Sequence, residues 1–289
     1  MGLEEGRVTA NGVDFAYLAA GPADGPLALC LHGFPDTAWG FRHLLPELAA
    51  AGYRAVAPFM RGYAPTSVPH TGHYQSGALV ADACALHDAL GADGRAALIG
   101  HDWGAVAVWG AASYRPDQWR RIVAASVPPS ARLFSTYDQI KRSFYMFFFQ
   151  QPMAEAVVAM DDFAFIARLW EDWSPGYDAT DDLDYVKRAL GAGPNLTAAL
   201  GYYRASFDPA RQSPDLAEAQ KAIGAPHGQP TLYLHGAQDG CIGVALVDGV
   251  EGRLPEGSKV EILDGAGHFL HLERPAEVNA RILSFLSEA

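Results

Sequence analysis

The stretch that most constrains the fold is residues 96–105, AALIGHDWGA, where an apolar run ends in a Gly-x-Asp-x-Gly turn. Helix-forming residues 105–109 follow at once. A strand, a sharp turn and a helix in this order hold the side chain at the tip of the turn exposed between small residues. One interpretation makes that side chain, Asp102, a carboxylate nucleophile. The other makes Asp102 only the cap of the following helix.

Composition narrows the classes of protein that the chain can represent. Its 289 residues are 49% hydrophobic and 19% charged, enough for one large α/β domain with an insertion. A net charge of −12 argues against nucleic acid or an anionic membrane as a partner. Cys30, Cys84 and Cys241 have neither disulfide nor zinc spacing. Without a signal-peptide pattern or a long apolar run, we expect a cytoplasmic protein.

Strands and helices alternate along much of the chain, which predicts a mostly parallel sheet flanked by helices. The predicted strands cover residues 13–20, 26–31, 53–58, 121–127, 231–235 and 259–263 and the apolar run at 96–99, and the helices cover 39–51, about 75–90, 105 to about 114, and 275–286. A helical, aromatic and acidic region interrupts the alternation after Pro128-Pro129. We therefore predict a core domain at 1–129 and 225–289 and a helical cap, or lid, at 130–224. A lid at this point would cover the carboxyl edge of the sheet, where ligands bind.

Two further side chains follow late strands at the same predicted edge as Asp102. Asp239 comes after residues 231–235, and His268 comes after residues 259–263. A carboxylate nucleophile needs a base and an acid that orients the base, and the order nucleophile, acid, histidine is that of the α/β-hydrolase fold. The alternatives are a plain Asp-Gly turn at Asp239 and an ordinary loop histidine at His268, with His271 as a rival base.

Two backbone amides are candidates for an oxyanion hole. One is the amide of Trp103, which follows the nucleophile, and the other is that of Phe34 in the loop after an early strand. The sequence leaves open whether the Phe34-Pro35 peptide bond is cis.

The chain resembles the epoxide hydrolases of the α/β-hydrolase fold, the branch with an aspartate nucleophile that is related to haloalkane dehalogenases. The resemblance rests on HGFP at residues 32–35, on GHDWG at 100–104, and on Asp239 with His268. It covers nearly the whole chain. It implies a mostly parallel sheet flanked by helices, with a helical lid inserted after the sixth strand.

The resemblance also implies two lid tyrosines that act as acids in opening an epoxide ring. The segment at 143–150 points to Tyr145, and GYYR at 201–204 points to Tyr203. A phenol stays protonated at neutral pH and can donate its proton to a developing alkoxide. The alternatives are that Tyr145 is plain lid core and that Tyr202 takes the role of Tyr203.

By resemblance, the chain converts an apolar or aromatic epoxide to a vicinal diol through a hydroxyalkyl ester on Asp102. Water activated by His268, with Asp239, would hydrolyse the ester. The implied partners are the epoxide and water, with no metal or organic cofactor, and the chain would be a monomer or homodimer. The lid residues expected to include the lining of an apolar pocket are Phe144, Met146, Phe147, Phe148, Phe163, Phe165, Trp170 and Trp173.

Two alternatives to this activity stay open. A haloalkane or haloacid dehalogenase would use the same aspartate but needs two N–H donors for the halide. Trp103 is one candidate donor, and a lid tryptophan, Trp170 or Trp173, is the other. The second alternative is a non-catalytic receptor that holds an apolar ligand beneath the lid.

Overall fold

The computed structural model describes residues 2–129 and 133–288. Within these residues, the strands form one sheet in the order β1-β2-β4-β3-β5-β6-β7-β8. The strands are β1 (Glu4–Ala10), β2 (Val13–Ala20), β3 (Leu27–Leu31), β4 (Arg54–Pro58), β5 (Ala96–His101), β6 (Trp119–Ala125), β7 (Thr231–Gly236) and β8 (Lys259–Leu263). From β4 to β8 neighbouring strands are parallel, whereas β2 is antiparallel to both β1 and β4. The predicted mostly parallel sheet is confirmed.

Helices flank the sheet and account for the complete burial of β3, β5 and β7. The α-helices are α1 (Leu45–Ala50), α2 (Ser76–Ala89), α3 (Trp103–Tyr114), α4 (Tyr137–Arg142), α5 (Phe144–Phe148), α6 (Ala154–Trp173), α7 (Thr180–Leu190), α8 (Asn195–Phe207), α9 (Ala217–Ala222), α10 (Leu270–Glu273) and α11 (Pro275–Ser287). Short 3₁₀ turns lie at Ala38–Phe41, Pro116–Gln118, Pro209–Arg211, Pro214–Leu216, Val244–Val247 and Glu251–Arg253. Parallel strands covered by helices bury both faces, so they read as continuous apolar runs.

Two elements differ from the sequence prediction. The helix predicted at 39–51 is a 3₁₀ turn followed by α1, which begins near Pro46. Proline has no N–H to donate and is accommodated in the first turn of a helix. The prediction also missed β1, whose side chains are mostly exposed because β1 is the sheet edge. An edge strand lacks the continuous run of apolar residues that marks a buried strand in the sequence.

The helical insertion lies between β6 and β7, as predicted. It contains α4 to α9, and α6 changes direction at Met160–Phe163, where Asp161, Asp162 and Phe163 have positive φ. The last insertion helix, α9, packs against α2 and α3 of the core. The division into a core at 1–129 and 225–289 and a cap at 130–224 stays a prediction, and its boundary at residue 130 falls outside the described residues. None of the helices in the described part of the chain has the length and apolarity needed to cross a bilayer.

Candidate active site

Asp102 stands at the turn between β5 and α3, with φ 53° and ψ −117°. Gly100 and Gly104, two residues before and after Asp102, must be glycines because the backbone packs closely against them. A Cβ on Gly100 would lie 2.3 Å from the carbonyl oxygen of Gly104, and one on Gly104 would lie 1.9 Å from that of Leu31. The carboxylate makes no capping hydrogen bond to α3. The turn therefore presents Asp102 in a sparsely populated backbone conformation, as a functional residue often is.

The Asp102 carboxylate is held by the loop that follows β3. The Phe34 amide donates to Oδ1 of Asp102 at 2.7 Å. A Cβ on Gly33 would lie 2.2 Å from the same oxygen, so only glycine permits this approach. The Phe34-Pro35 bond is cis. Trp103 is the first residue of α3, and an amide at that position has no acceptor within its own helix.

His268 lies between two carboxylates. Its Nδ1 is 2.9 Å from Oδ2 of Asp239, and its Nε2 is 3.6 Å from Oδ2 of Asp102. The amides of Cys241 and Ile242 donate to Oδ1 of Asp239 at 2.7 and 2.8 Å. Asp239 is thereby fixed from both sides. The three side chains have the arrangement in which an acid orients a histidine that faces a nucleophile.

The electrostatics of His268 are dominated by these carboxylates. Burial alone would lower the pKa of the imidazole, but the charges of Asp239 and Asp102 and the hydrogen bond to Asp239 outweigh burial and raise the pKa to about 10. An opposite charge close to a buried group favours its charged form. The two carboxylates therefore favour the imidazolium form of His268.

Tyr145 and Tyr203 line the same cavity as Asp102. The cavity measures about 220 Å³, and Val106, Met146, Ile223 and Ile242 contribute to its apolar wall. The Tyr145 hydroxyl is 3.5 Å from Sγ of Cys241, whereas the Tyr203 hydroxyl has no hydrogen-bond partner among the described residues. A larger open cleft of 780 Å³, lined in part by Trp39 and Tyr185, contains none of the predicted site residues.

Both phenols are held in their protonated form. Burial raises the pKa of Tyr145 and of Tyr203 well above the usual value, and the charge of Asp102 acts in the same direction. By contrast, Tyr202 donates its hydroxyl to the carbonyl of Arg61 at 2.8 Å. Of the two neighbouring tyrosines, Tyr203 is the one that lines the cavity.

Comparison with known proteins places this geometry in a family. The model of the α/β hydrolase fold family matches residues 26–275. Epoxide hydrolase A of Mycobacterium tuberculosis is 32% identical over 322 aligned positions, which cover 98% of this chain and 97% of the relative. The chain belongs to the epoxide hydrolases of the α/β-hydrolase fold. The predicted fold class and family are thus confirmed.

Solved epoxide hydrolase structures agree with this assignment. The crystal structure of epoxide hydrolase A from Mycobacterium thermoresistibile has a TM-score of 0.82 and 30% identity, with 99% of this chain and 98% of that chain covered. The Bacillus megaterium epoxide hydrolase in complex with an inhibitor has a TM-score of 0.83 and 27% identity, with coverages of 98% and 100%. The similarity extends over both core and insertion.

In this epoxide hydrolase family member, the helical insertion holds the loops that carry Asp239 and His268. The Trp173 carbonyl accepts the amides of Gly240 at 3.1 Å and of His268 at 3.0 Å. A Cβ on Gly240 would lie 1.9 Å from the Asp172 carbonyl oxygen, so the glycine permits this contact. His268 is fully buried. A Cβ on the preceding Gly267 would lie 2.6 Å from the Trp173 carbonyl oxygen, so this glycine also makes room for the insertion.

Two polar groups that the sequence analysis missed hold the backbone of His268. Nε2 of His101 lies 2.8 Å from the His268 carbonyl oxygen, and Oγ of Ser126 donates to the same oxygen at 2.7 Å.

His271, the rival base, lies beside Asp36 and His101. Its Nε2 is 3.5 Å from Oδ2 of Asp36, and its ring packs on that of His101. Only the position of His101 beside Asp102 in the sequence offered a signal for these contacts.

The lid aromatics contribute less to the cavity than expected. Of the eight lid residues named from the sequence, Met146 lines it. Phe144 and Phe147 are exposed. Trp170 stacks on Phe269 at 3.6 Å and donates its indole N–H to the Pro35 carbonyl at 3.0 Å. Trp170 therefore joins the insertion to the core.

Proposed function

We propose that the chain hydrolyses a compact apolar epoxide to a vicinal diol, with Asp102 as the nucleophile. The observation that carries the proposal is one cavity lined by Asp102 and by two buried, protonated phenols, Tyr145 and Tyr203. A carboxylate can attack an epoxide carbon while a phenol hydrogen-bonds the ring oxygen. Membership of the epoxide hydrolase family supports the same reaction.

In the first step, Asp102 attacks one epoxide carbon and the bond from that carbon to the ring oxygen breaks. Oδ1 of Asp102 accepts the Phe34 amide, which leaves Oδ2 for the attack. One of the two tyrosines donates its proton to the ring oxygen. The products are a hydroxyalkyl ester on Asp102 and a tyrosinate.

Ester formation converts His268 from an imidazolium to a base. The ester has no charge, so one of the two carboxylates that raise the pKa of His268 is lost. The proton that His268 releases restores the tyrosine. Neutral His268, oriented by Asp239, can then take a proton from water.

In the second step, the water oxygen attacks the ester carbonyl carbon. The amide of Phe34 already donates to Oδ1, where negative charge develops, and the amide of Trp103 is the proposed second donor. The tetrahedral intermediate expels the alkoxide, which takes the remaining water proton as Asp102 returns to a carboxylate. His268 is again an imidazolium, and the vicinal diol leaves.

The same side chains favour an epoxide over a halide. The indole N–H of Trp170, a candidate halide donor, is bonded to the Pro35 carbonyl at 3.0 Å. Two phenols suit an alkoxide, which needs a proton, whereas a halide leaves without one.

A cavity of about 220 Å³ holds roughly seven water molecules, which favours a compact substrate such as styrene oxide. A cytoplasmic location and a monomeric or homodimeric state remain predictions.

Turnover of styrene oxide tests the proposal. Formation of the diol by the wild-type chain over many cycles, with loss of activity in Asp102→Ala, is the expected result. Tyr202→Phe is the matched control, because its hydroxyl is engaged with the Arg61 carbonyl outside the cavity. Binding without turnover by a folded wild-type chain would favour the receptor alternative, and release of halide from a haloalkane would favour a dehalogenase.

A further inference from the structure

A second cluster of polar side chains lies behind His268, away from the cavity. It consists of Asp36 in the loop after β3, His101 at the end of β5 and His271 in α10. These residues are 2%, 1% and 6% exposed. One carboxylate oxygen and one ring nitrogen from each histidine all lie within 4.8 Å of one another. The cluster joins three segments that are distant in the sequence.

Hydrogen bonding at His101 leaves a lone pair directed away from His268. Nε2 of His101 lies 2.8 Å from the His268 carbonyl oxygen. A carbonyl only accepts hydrogen bonds, so Nε2 carries the proton and Nδ1 of the neutral ring does not. Nδ1 of His101, which has no hydrogen-bond partner among the described residues, is thus available as a ligand.

The other two members also have uncommitted polar atoms. Oδ1 of Asp36 accepts the Thr37 amide at 2.6 Å. Among the described residues, Oδ2 of Asp36, Nδ1 of His101 and both ring nitrogens of His271 have no hydrogen-bond partner. Buried acceptors that converge in this way call for a cation.

The donor set, and the spacing of one pair within it, fit a transition metal. Two imidazole nitrogens and one carboxylate oxygen are characteristic ligands of Zn²⁺, with bonds of about 2.0–2.2 Å. Tetrahedral ligands at that distance are roughly 3.4 Å apart. Nε2 of His271 and Oδ2 of Asp36 are separated by 3.5 Å. The bond from His101 to a backbone carbonyl is also the outer-shell contact that metal-bound histidines make.

We propose that Asp36, His101 and His271 form a buried site for a divalent transition metal of the zinc type, separate from the catalytic residues. The metal ties the loop after β3, the end of β5 and α10 together. It also fixes the ring of His101, and through Nε2 of His101 it fixes the backbone at His268. Its role is structural, so it can be measured without an epoxide.

Metal binding by the untagged 289-residue chain tests this site. After treatment with a chelator, the folded chain is titrated with Zn²⁺ by calorimetry and with Co²⁺ by visible spectroscopy. We expect one ion per chain, the d–d bands of a Co²⁺ ion with fewer than six ligands, and a rise in Tm of about 5 °C at saturating Zn²⁺.

Zn²⁺ binding by variants of the cluster residues tests whether the ion binds at this cluster. His271→Gln and Asp36→Asn should each weaken Zn²⁺ binding at least about 100-fold. His43→Gln removes an exposed histidine outside the cluster, and His268→Gln removes the catalytic one, so both should bind Zn²⁺ as the wild type does. Absence of stoichiometric Co²⁺ and Zn²⁺ binding by the folded wild-type chain would overturn the proposal, whether or not the variants fold. Unchanged affinity in folded His271→Gln and Asp36→Asn would also overturn it.

Discussion

Nε2 of His268 lies 3.6 Å from Oδ2 of Asp102, and both side chains are buried. This pair links the proposed nucleophile to the proposed base. While Asp102 is ionised, its charge helps to raise the pKa of His268 to about 10, which favours the protonated ring over the free base. Conversion of Asp102 to an ester removes that charge. In the proposed mechanism, the first chemical step itself therefore activates the base.

Removal of the Asp102 charge should lower the pKa of His268. In Asp102→Asn the shape is kept and the charge is lost, so we expect the pKa to fall by about one to three pH units. NMR titration of the His268 ring measures it. Asp239→Asn should also lower the pKa, because Asp239 is the other charge in contact with the ring. An unchanged pKa in Asp102→Asn would contradict the proposed activation of the base.

The raised pKa of His268 predicts a loss of stability at high pH. The folded pKa of about 10 exceeds the unfolded value of 6.5, so the contribution is complete below about pH 6.5 and disappears as the pH rises through 10. Between these limits the free energy of unfolding should fall by up to about 1.4 kcal/mol per pH unit. Urea unfolding at several pH values, compared with His268→Gln, isolates this effect. A difference between the two proteins that does not vary with pH would contradict it.

The two cavity tyrosines should be needed for ring opening. Loss of general acid catalysis costs about 10²–10⁴ in rate. We expect Tyr145→Phe and Tyr203→Phe to lower kcat for styrene oxide, and the double variant to lose at least about 100-fold. The rate at which an ester already formed on Asp102 is hydrolysed should change little. Rapid quenching and mass spectrometry measure this rate. Full epoxide turnover in the double variant, or an equal loss in Tyr202→Phe, would argue against this role.

His268 should act only after the ester has formed. In His268→Gln, ring opening continues while ester hydrolysis stops, so one hydroxyalkyl adduct per chain should accumulate. Intact-mass spectrometry after incubation with styrene oxide detects the adduct, and peptide analysis locates it. Asp102→Ala treated in the same way is the control and should stay unmodified. A His268→Gln chain that consumes epoxide without forming an adduct would exclude the covalent order of steps.

The sequence was most informative where constraints are local. Gly100 and Gly104 mark a turn that only residues without Cβ atoms can form, so the position of Asp102 was predictable. Asp239 and His268 followed from the rule that carboxyl ends of parallel strands share one edge. Each of these inferences needs only the pattern within one strand and its loop.

Other features depend on long-range packing and were not predictable. The Trp173 carbonyl holds both the Asp239 and the His268 loops, yet it is a backbone group with no sequence signature. The lid composition gave no indication that Met146 lines the cavity while Phe144 is exposed. The contact between His101 and the His268 carbonyl joins residues 167 positions apart. Such contacts are fixed only when the whole fold is assembled.

Isotope labelling tests the central claim, that Asp102 forms a covalent ester, most directly. The wild-type chain is allowed many turnovers of styrene oxide in ¹⁸O-labelled water, and the peptide containing Asp102 is analysed by mass spectrometry. Attack of water on the ester carbonyl places water oxygen in the carboxylate, so we predict ¹⁸O in Asp102. Diol that carries ¹⁸O beside an unlabelled Asp102 would contradict the account.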